Sequence, residues 1–286
     1  MTRRLDLYDT LAQRCADAAV RTYSTSFALA TRTLPADQRV HVRNVYGLVR
    51  LADEIVDGAA AEAGGDQRAA LDALEADCER AMAQGYSTNV LVHAFARTAR
   101  HAGFGAELTA PFFASMRMDI TRTTHDEASF TAYVDGSAEV VGLMCLRVFL
   151  VTEPDGAARY LALEPSARAL GAAFQKINFL RDLADDDGRL GRRYFPGIDP
   201  AVFTETDKRR ILADIDADLT LAASGIAALP PASARAVRVA HALFAELARR
   251  LRRTPAPDLL AARVRVPGPV KARLAAAALA GRTRTT

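Results

Sequence analysis

Tryptophan is absent from this 286-residue chain, and aromatic residues make up only 7% of it. Cysteine is scarce too: Cys15, Cys78 and Cys145 stand far apart and share no CxxC spacing. Three thiols cannot build a disulfide scaffold, and they read as small buried hydrophobes. The five histidines include no HxxxH pair, so a zinc site has no support. Neither sign of charge is in large excess. The formal net charge is +3 with a pI near 8.9, too balanced to indicate a nucleic-acid partner. Long apolar runs are also missing. The longest, residues 140–151, is broken by Arg147 and is too short to span a bilayer. Residues 1–9 alternate charged and apolar side chains, unlike a signal peptide. Gly103-Phe-Gly105 does not continue as GxGxxG and follows no strand pattern, which leaves no dinucleotide fingerprint.

What is abundant is apolar residues, at 50%, with charged residues at 25%. That composition excludes disorder and predicts a globular intracellular protein with a large core. Ala, Leu, Arg and Glu dominate, all strong helix formers. Apolar residues recur three and four apart at Leu71, Leu74, Cys78 and Met82, and again at Val239, Leu243 and Leu247. Asn89 fits a helix N-cap and Gly85 a helix stop. The prolines are expected between helical segments, with Pro35, Pro165 and Pro230–Pro231 each preceding one. The best alternating pattern, Arg263-Val-Arg-Val266, is short. The softest stretches, residues 59–66, 188–200 and 254–258, are too short for obvious interdomain linkers, and no internal repeat is present. The expectation is an all-α, single-domain fold of ten or so helices over residues 1–286, with its core at about 20–270.

Two segments carry chemistry: Arg50-Leu-Ala-Asp53-Glu54-Ile-Val-Asp57, and Gln175-Lys-Ile-Asn178-Phe-Leu-Arg181-Asp182-Leu-Ala-Asp185-Asp186. Positions four apart share a helix face, so Asp53 lies beside Asp57 and Asp182 beside Asp186. Like charges at that spacing need neutralising. A hard divalent cation does so, binding carboxylates while keeping waters and sharing phosphate ligands. The spacing alone is cheap, because Asp214-Ile-Asp-Ala-Asp218 has it on what reads as a solvated helix face. The two selected pairs differ in having Arg50 or Arg181 just upstream and apolar neighbours such as Leu48, Val56, Ile177 and Leu180. Buried carboxylates are costly unless paired or metal-bound. Arginine suits a diphosphate because its planar fork makes two hydrogen bonds at once.

These residues carry a resemblance. Tyr23-Ser-Thr-Ser-Phe27, Leu34-Pro35 and Tyr46-Gly-Leu-Val-Arg50-Leu-Ala-Asp53-Glu-Ile-Val-Asp57 look like the start of the squalene/phytoene synthase family. Gln175-x-x-Asn178-x-x-Arg181-Asp182-x-x-x-Asp186 is similar to its second aspartate motif. Tyr133, the stretch from Gly136 to Gly142, and Leu143 follow its middle helix. Leu190-Gly-Arg-Arg-Tyr-Phe-Pro196 resembles an extension common in bacterial phytoene synthases. The resemblance spans about residues 23–267.

It implies an isoprenoid synthase-like helical bundle around a central cavity, and head-to-head condensation of two prenyl diphosphates. Asp53, Asp57, Asp182 and Asp186 match the family's catalytic, Mg2+-holding aspartates, and Asn178 the adjacent metal ligand. Ser24, Ser26, Tyr46, Arg50, Gln175 and Arg181 match positions lining the diphosphates. Ser24 and Ser26 have a second reading as N-caps, and Tyr46 as a core aromatic. Mg2+ is the implied cofactor, with Mn2+ the alternative and no nicotinamide cofactor for a phytoene synthase. The departures are Glu54 for a second consecutive Asp, Thr25 for a basic residue, and Phe244 for a Tyr of some relatives. The favoured reaction joins two geranylgeranyl diphosphates to phytoene through a cyclopropyl diphosphate. The alternatives are squalene, presqualene diphosphate or dehydrosqualene synthesis from farnesyl diphosphate, and, from another class, a non-catalytic lipid-binding or assembly protein. The expected location is cytoplasmic, with peripheral membrane contact as a second reading of Arg249-Arg-Leu-Arg-Arg253, which reads first as a helix C-terminus favouring cations.

Overall fold

The computed structural model describes residues 4–280. Helix follows helix: α1 (Arg4–Tyr23), α2 (Thr25–Thr31), α3 (Ala36–Val56), α4 (Ala59–Glu62), α5 (Gln67–Gln84), α6 (Val90–Ala102) and α7 (Ala106–Thr121). Then come α8 (Glu127–Val134), α9 (Val140–Leu150), α10 (Gly156–Asp185), α11 (Glu205–Ile226), α12 (Pro231–Arg253), α13 (Ala256–Leu259) and α14 (Gly268–Leu279). Wide π-helical turns at Asp135–Glu139 and Asp186–Leu190 join α8 to α9 and continue α10. Among the described residues no strand forms; one isolated parallel bridge ties Thr124 to Arg193. The alternating residues 263–266 lie in irregular chain, with only Val266 buried.

Local chemistry sets the helix limits. Asp66 caps α5, and the Asn89 side chain accepts from the Leu91 and Val92 amides at the start of α6. Gly85 (φ 83°) ends α5 in the left-handed region. The predicted stripes face inward: Leu71, Leu74 and Cys78 are buried, Met82 half-buried, and Val239, Leu243 and Leu247 buried. Of the thiols, Cys78 is buried while Cys15 and Cys145 are half-buried, and all three are free.

The prolines correct the sequence reading. Pro111 lies inside α7, and Pro165 lies inside the 30-residue α10 instead of starting it. A proline costs a helix one hydrogen bond and crowds the preceding turn. Periodicity could not reveal that tertiary packing outweighs this cost. At Pro111 the π-turn crosses so closely that a Cβ on Gly136 would meet the Pro111 carbonyl and Ser115 Oγ. At the next crossing, a Cβ on Gly171 of α10 would meet the Ala138 carbonyl.

One apolar cluster gathers α3, α5, α6, α7 and α9 around Leu48, Phe95, Phe112 and Leu143. A second gathers α10, α11 and α12 around Ile177, Leu180, Ile215 and Leu251. α3, α7 and α10, which carry the candidate site, take part in these two clusters. No helix of the described residues is long and apolar enough to cross a membrane.

Candidate functional site

α3 and α10 present their acidic ends to one cavity of about 220 Å³. From α3 come Val49 and Asp53, and Asp57 just past its end; from α10 come Gln175, Asn178, Phe179, Arg181 and Asp182, with Asp186 at the following π-turn. Met116 and Asp119 of α7, with Tyr133, Ser137 and Tyr194, complete the wall. The two aspartate pairs, 125 or more residues apart in sequence, thus belong to a single chamber. Asp57 is the C-cap of α3, and its amide still donates to the Asp53 carbonyl at 2.8 Å, which keeps the two side by side.

Arginines accompany three of these carboxylates. Arg50 Nη1 lies 3.7 Å from Asp53 and also pairs with Glu54, its guanidinium 4.1 Å above the Tyr23 ring. Arg192 pairs with Asp57. Asp182 takes two partners, Arg181 Nε at 2.8 Å and Arg263 Nε at 2.7 Å. Where carboxylates face one another, charge is resisted. Burial, and then Asp57, push the Asp53 carboxyl up to about 7. Burial, then Asp182 and Asp57, do the same to Asp186, also to about 7.

These shifts have a pH consequence. A carboxyl whose folded pKa is raised holds its proton in the folded protein where the unfolded chain has lost it, so stability falls as pH rises from about 4 through about 7. Protein stripped of divalent cations should therefore melt lower at pH 8 than at pH 6. Mg2+ with pyrophosphate should flatten that slope, because a cation replaces the protons. Thermal melts across pH, with and without the additions, check both statements.

Among the described residues, no three His, Cys, Asp or Glu side chains converge as a ready-made metal cage. The candidate donors are the carboxylates and the Asn178 amide, all hard oxygens. Such a set suits an ion that takes one or two carboxylates, keeps waters and draws other ligands from phosphate. Asp53, Asp57, Asn178, Asp182 and Asp186 are the residues that fit this role.

The other predicted residues take varied positions. Gln175 and Arg181 line the cavity. Ser24 is the N-cap of α2, its hydroxyl accepting from the Phe27 amide at 3.2 Å, and it also reaches the Tyr46 hydroxyl. Ser26 lies half-buried in the first turn of α2. Tyr46 stacks on Phe27 at 4.9 Å, and burial pushes its hydroxyl up to about 12. Ser24, Ser26, Tyr46 and Arg50 do not line the aspartate cavity itself. The departures find explanations. Glu54 accepts from Arg50 and from the Ala59 amide, so it secures the end of α3. Thr25 receives a hydrogen bond from Lys271 Nζ of α14 at 2.8 Å, which brings a cation to that position. Burial, then Arg181 and Arg265, lower the pKa of this ammonium. Phe244 stacks on Phe174 at 3.7 Å, next in sequence to Gln175.

Asp214 and Asp218 lie apart from this cavity, but they are not a simple solvated face. Lys176 bridges them at 2.6 and 2.8 Å, and the Asp218 side chain is only 19% exposed. Their spacing was neutralised after all, by a lysine from α10 that a one-helix reading could not place. Asp214→Asn with Asp218→Asn should leave turnover of the folded protein nearly unchanged. Stability should fall by about 1–3 kcal/mol, because Lys176 loses its partners while one of them is exposed; activity and thermal melts together check this. The basic run ending α12 is largely satisfied as well: Arg249 and Arg250 pair with Glu246, and Arg252 with Asp216.

Sequence reading missed Asp119, Arg192 and Arg263 as members of the site. An Asp flanked by Met118 and Ile120 in Ser-Met-Arg-Met-Asp119-Ile was the available signal. Ser137, whose buried hydroxyl has no partner, left no signal.

The squalene/phytoene synthase family profile matches residues 20–203, more than half the chain. The chain belongs to the squalene/phytoene synthase family. It is 31% identical to a presqualene diphosphate synthase of Rhodopseudomonas palustris, over 84% of this chain and 79% of that one. It is 30% identical to a 15-cis-phytoene synthase of Paracoccus, over 82% and 80% respectively. A phytoene synthase of Arthrospira platensis is 31% identical, over 80% and 78%. The fold matches that of a dehydrosqualene synthase with TM-score 0.78, 16% identity and coverage of 96% and 97%. A squalene synthase from Alicyclobacillus acidocaldarius matches at TM-score 0.71 and 22% identity, covering 85% and 93%. Squalene/phytoene synthase relatives are prenyltransferases, and family membership supports head-to-head condensation of prenyl diphosphates.

Proposed function

We infer that the protein condenses two geranylgeranyl diphosphates to phytoene in a Mg2+-dependent reaction. The observation that carries this reading is the meeting of two aspartate pairs, from α3 and α10, across one cavity lined also by Arg181, Gln175 and Asn178. The likeness to phytoene synthases of Paracoccus and Arthrospira supports the C20 substrate, as does the Leu190–Pro196 segment.

When bound, Mg2+ would neutralise charge developing on the departing diphosphate. Asp53, Asp57, Asp182, Asp186 and Asn178 would hold the cation. Arg181 lies at the cavity, and Arg50 at its rim beside Asp53, where each can turn its fork to phosphate oxygens. Ionisation of the first diphosphate leaves an allylic cation, which the double bond of the second substrate attacks. The tertiary cation so formed closes a cyclopropane ring as a proton leaves, giving a cyclopropyl diphosphate; a second ionisation with rearrangement and loss of another proton gives the linear hydrocarbon. Val49, Met116 and Phe179 give the same chamber an apolar wall, which keeps water from the cations. A volume of about 220 Å³ suits the head groups. The diphosphate released at each ionisation can accept the proton of that step, so no strongly basic side chain is required.

A second reading rests on the presqualene diphosphate synthase relative, and it takes farnesyl diphosphate instead. Incubation with C15 or C20 diphosphate and Mg2+, followed by diphosphate assay and identification of the product, hydrocarbon or cyclopropyl diphosphate, decides between them. Phytoene from the C20 substrate is the expected result. Product from C15 alone would establish the second reading. No diphosphate release from either would overturn both and leave a binding or assembly role.

A further inference from the structure

Behind the facing aspartates stands a buried polar assembly that joins four segments. Asp119 of α7 has a side chain only 2% exposed. It accepts from the Tyr133 hydroxyl of α8 at 2.6 Å and from the Tyr194 hydroxyl at 3.0 Å. Its Oδ1 lies 3.5 Å from Arg192 Nη1. The same Nη1 pairs with Asp57, while Nη2 donates to the Val56 carbonyl at 2.9 Å. The guanidinium, 9% exposed, is thus held between the carbonyl end of α3, a candidate metal-binding carboxylate and a second carboxylate.

We propose that Asp119 is a positioning residue that acts through Arg192 to keep Asp57 available to its ligand. This rests on the reading of the cavity as a Mg2+–diphosphate site. A guanidinium offers five N–H donors in a rigid fork and binds a lone carboxylate by engaging both its oxygens. With Asp119 drawing on Arg192 from one side and the Val56 carbonyl from another, Arg192 reaches Asp57 through a single nitrogen. One oxygen of Asp57 is left for the cavity. The Tyr133 and Tyr194 hydroxyls set Asp119 in place, so its pull has a defined direction. Without its charge, Arg192 turns onto Asp57 and competes with the cation for both oxygens.

The probe is pyrophosphate with Mg2+, followed by calorimetry, with thermal melts to confirm folding. Asp119→Asn retains shape and removes the charge. Its affinity for Mg2+–pyrophosphate should fall about tenfold or more, in the range that partners behind a metal ligand control. The Mg2+ concentration needed for half-saturation should rise to match. The double variant Asp119→Asn/Arg192→Gln removes the competitor too, and should recover most of the loss. A purely structural role for Asp119 would make the second substitution add to the damage. Should Asp119→Asn fail to fold, Arg192→Gln supplies the test: with the competitor gone, affinity within about threefold of the wild type is expected in a folded protein, and adding Asp119→Asn in that background should change it no further. Wild-type protein that does not bind Mg2+–pyrophosphate would overturn the underlying reading. Wild-type binding, with Asp119→Asn within twofold of it or a double variant worse than the single (or, where Asp119→Asn does not fold, Arg192→Gln more than tenfold weaker than the wild type), would overturn the role of Asp119.

Discussion

Asp182→Ala is expected to reduce turnover by about a thousandfold or more, corresponding to about 4 kcal/mol at the transition state. The loss should exceed that of Arg181→Ala. Asp182 is the proposed metal ligand that two arginines, Arg181 and Arg263, already hold in place. Its removal leaves substrate charge uncompensated and both guanidinia without their carboxylate. Arg181→Ala removes charge-assisted hydrogen bonds to phosphate but keeps every carboxylate. A hydrogen bond to a charged group is worth about 1.5–3 kcal/mol, roughly ten- to over a hundredfold in rate. Modest extra Mg2+ should not rescue Asp182→Ala. The ordering should hold both for the prenyl diphosphate and for added cyclopropyl intermediate, since each step expels a diphosphate. Steady-state kinetics on both compounds checks this, and an Asp182→Ala enzyme faster than Arg181→Ala on either would contradict the division of roles.

The second large effect is on folding. Gly136→Ala puts a methyl group against the Pro111 carbonyl and Ser115 Oγ, where backbone must move to admit it. Ser115 Oγ is not idle there: it donates to the Ala132 and Tyr133 carbonyls at 3.3 and 3.2 Å, where α8 runs into the π-turn. Overpacking of this kind costs about 1–3 kcal/mol, and more when backbone must shift. A fall in melting temperature of about 2–6 °C, and more where backbone shifts, is expected. Gly268→Ala, where nothing lies within 4 Å, should leave the melting temperature unchanged. Parallel thermal melts of the two variants give the comparison.

The helices were legible because their signals are local. Asn89 and Gly85 mark the ends they were expected to mark, and the Leu71–Leu74–Cys78 stripe faces the core as its period requires. The two aspartate pairs were legible as pairs, since a four-residue spacing needs only one helix. What stayed hidden depends on a second segment. Pro165 was misread because tertiary packing offsets a lost hydrogen bond within α10. Lys176 neutralises Asp214 and Asp218 from another helix. Asp119, Arg192 and Arg263 reach the site from α7 and from chain without regular structure. Nothing in their own neighbourhoods announces a partner 70 or more residues away.

The arginines beside Asp53 and Asp182 have a thermodynamic consequence. In the proposed reaction the site exchanges ions. A cation arriving alone must displace a guanidinium that then has nowhere to go, and a diphosphate arriving alone must draw an arginine from its carboxylate. Arriving together, each supplies the partner that the other releases: the cation takes the carboxylate and the phosphate takes the arginine. Metal and diphosphate should therefore raise one another's affinity by the same factor, as linkage requires of any two coupled ligands. The protein would bind either component weakly and the pair tightly, which reserves the assembled state for a substrate that carries a diphosphate.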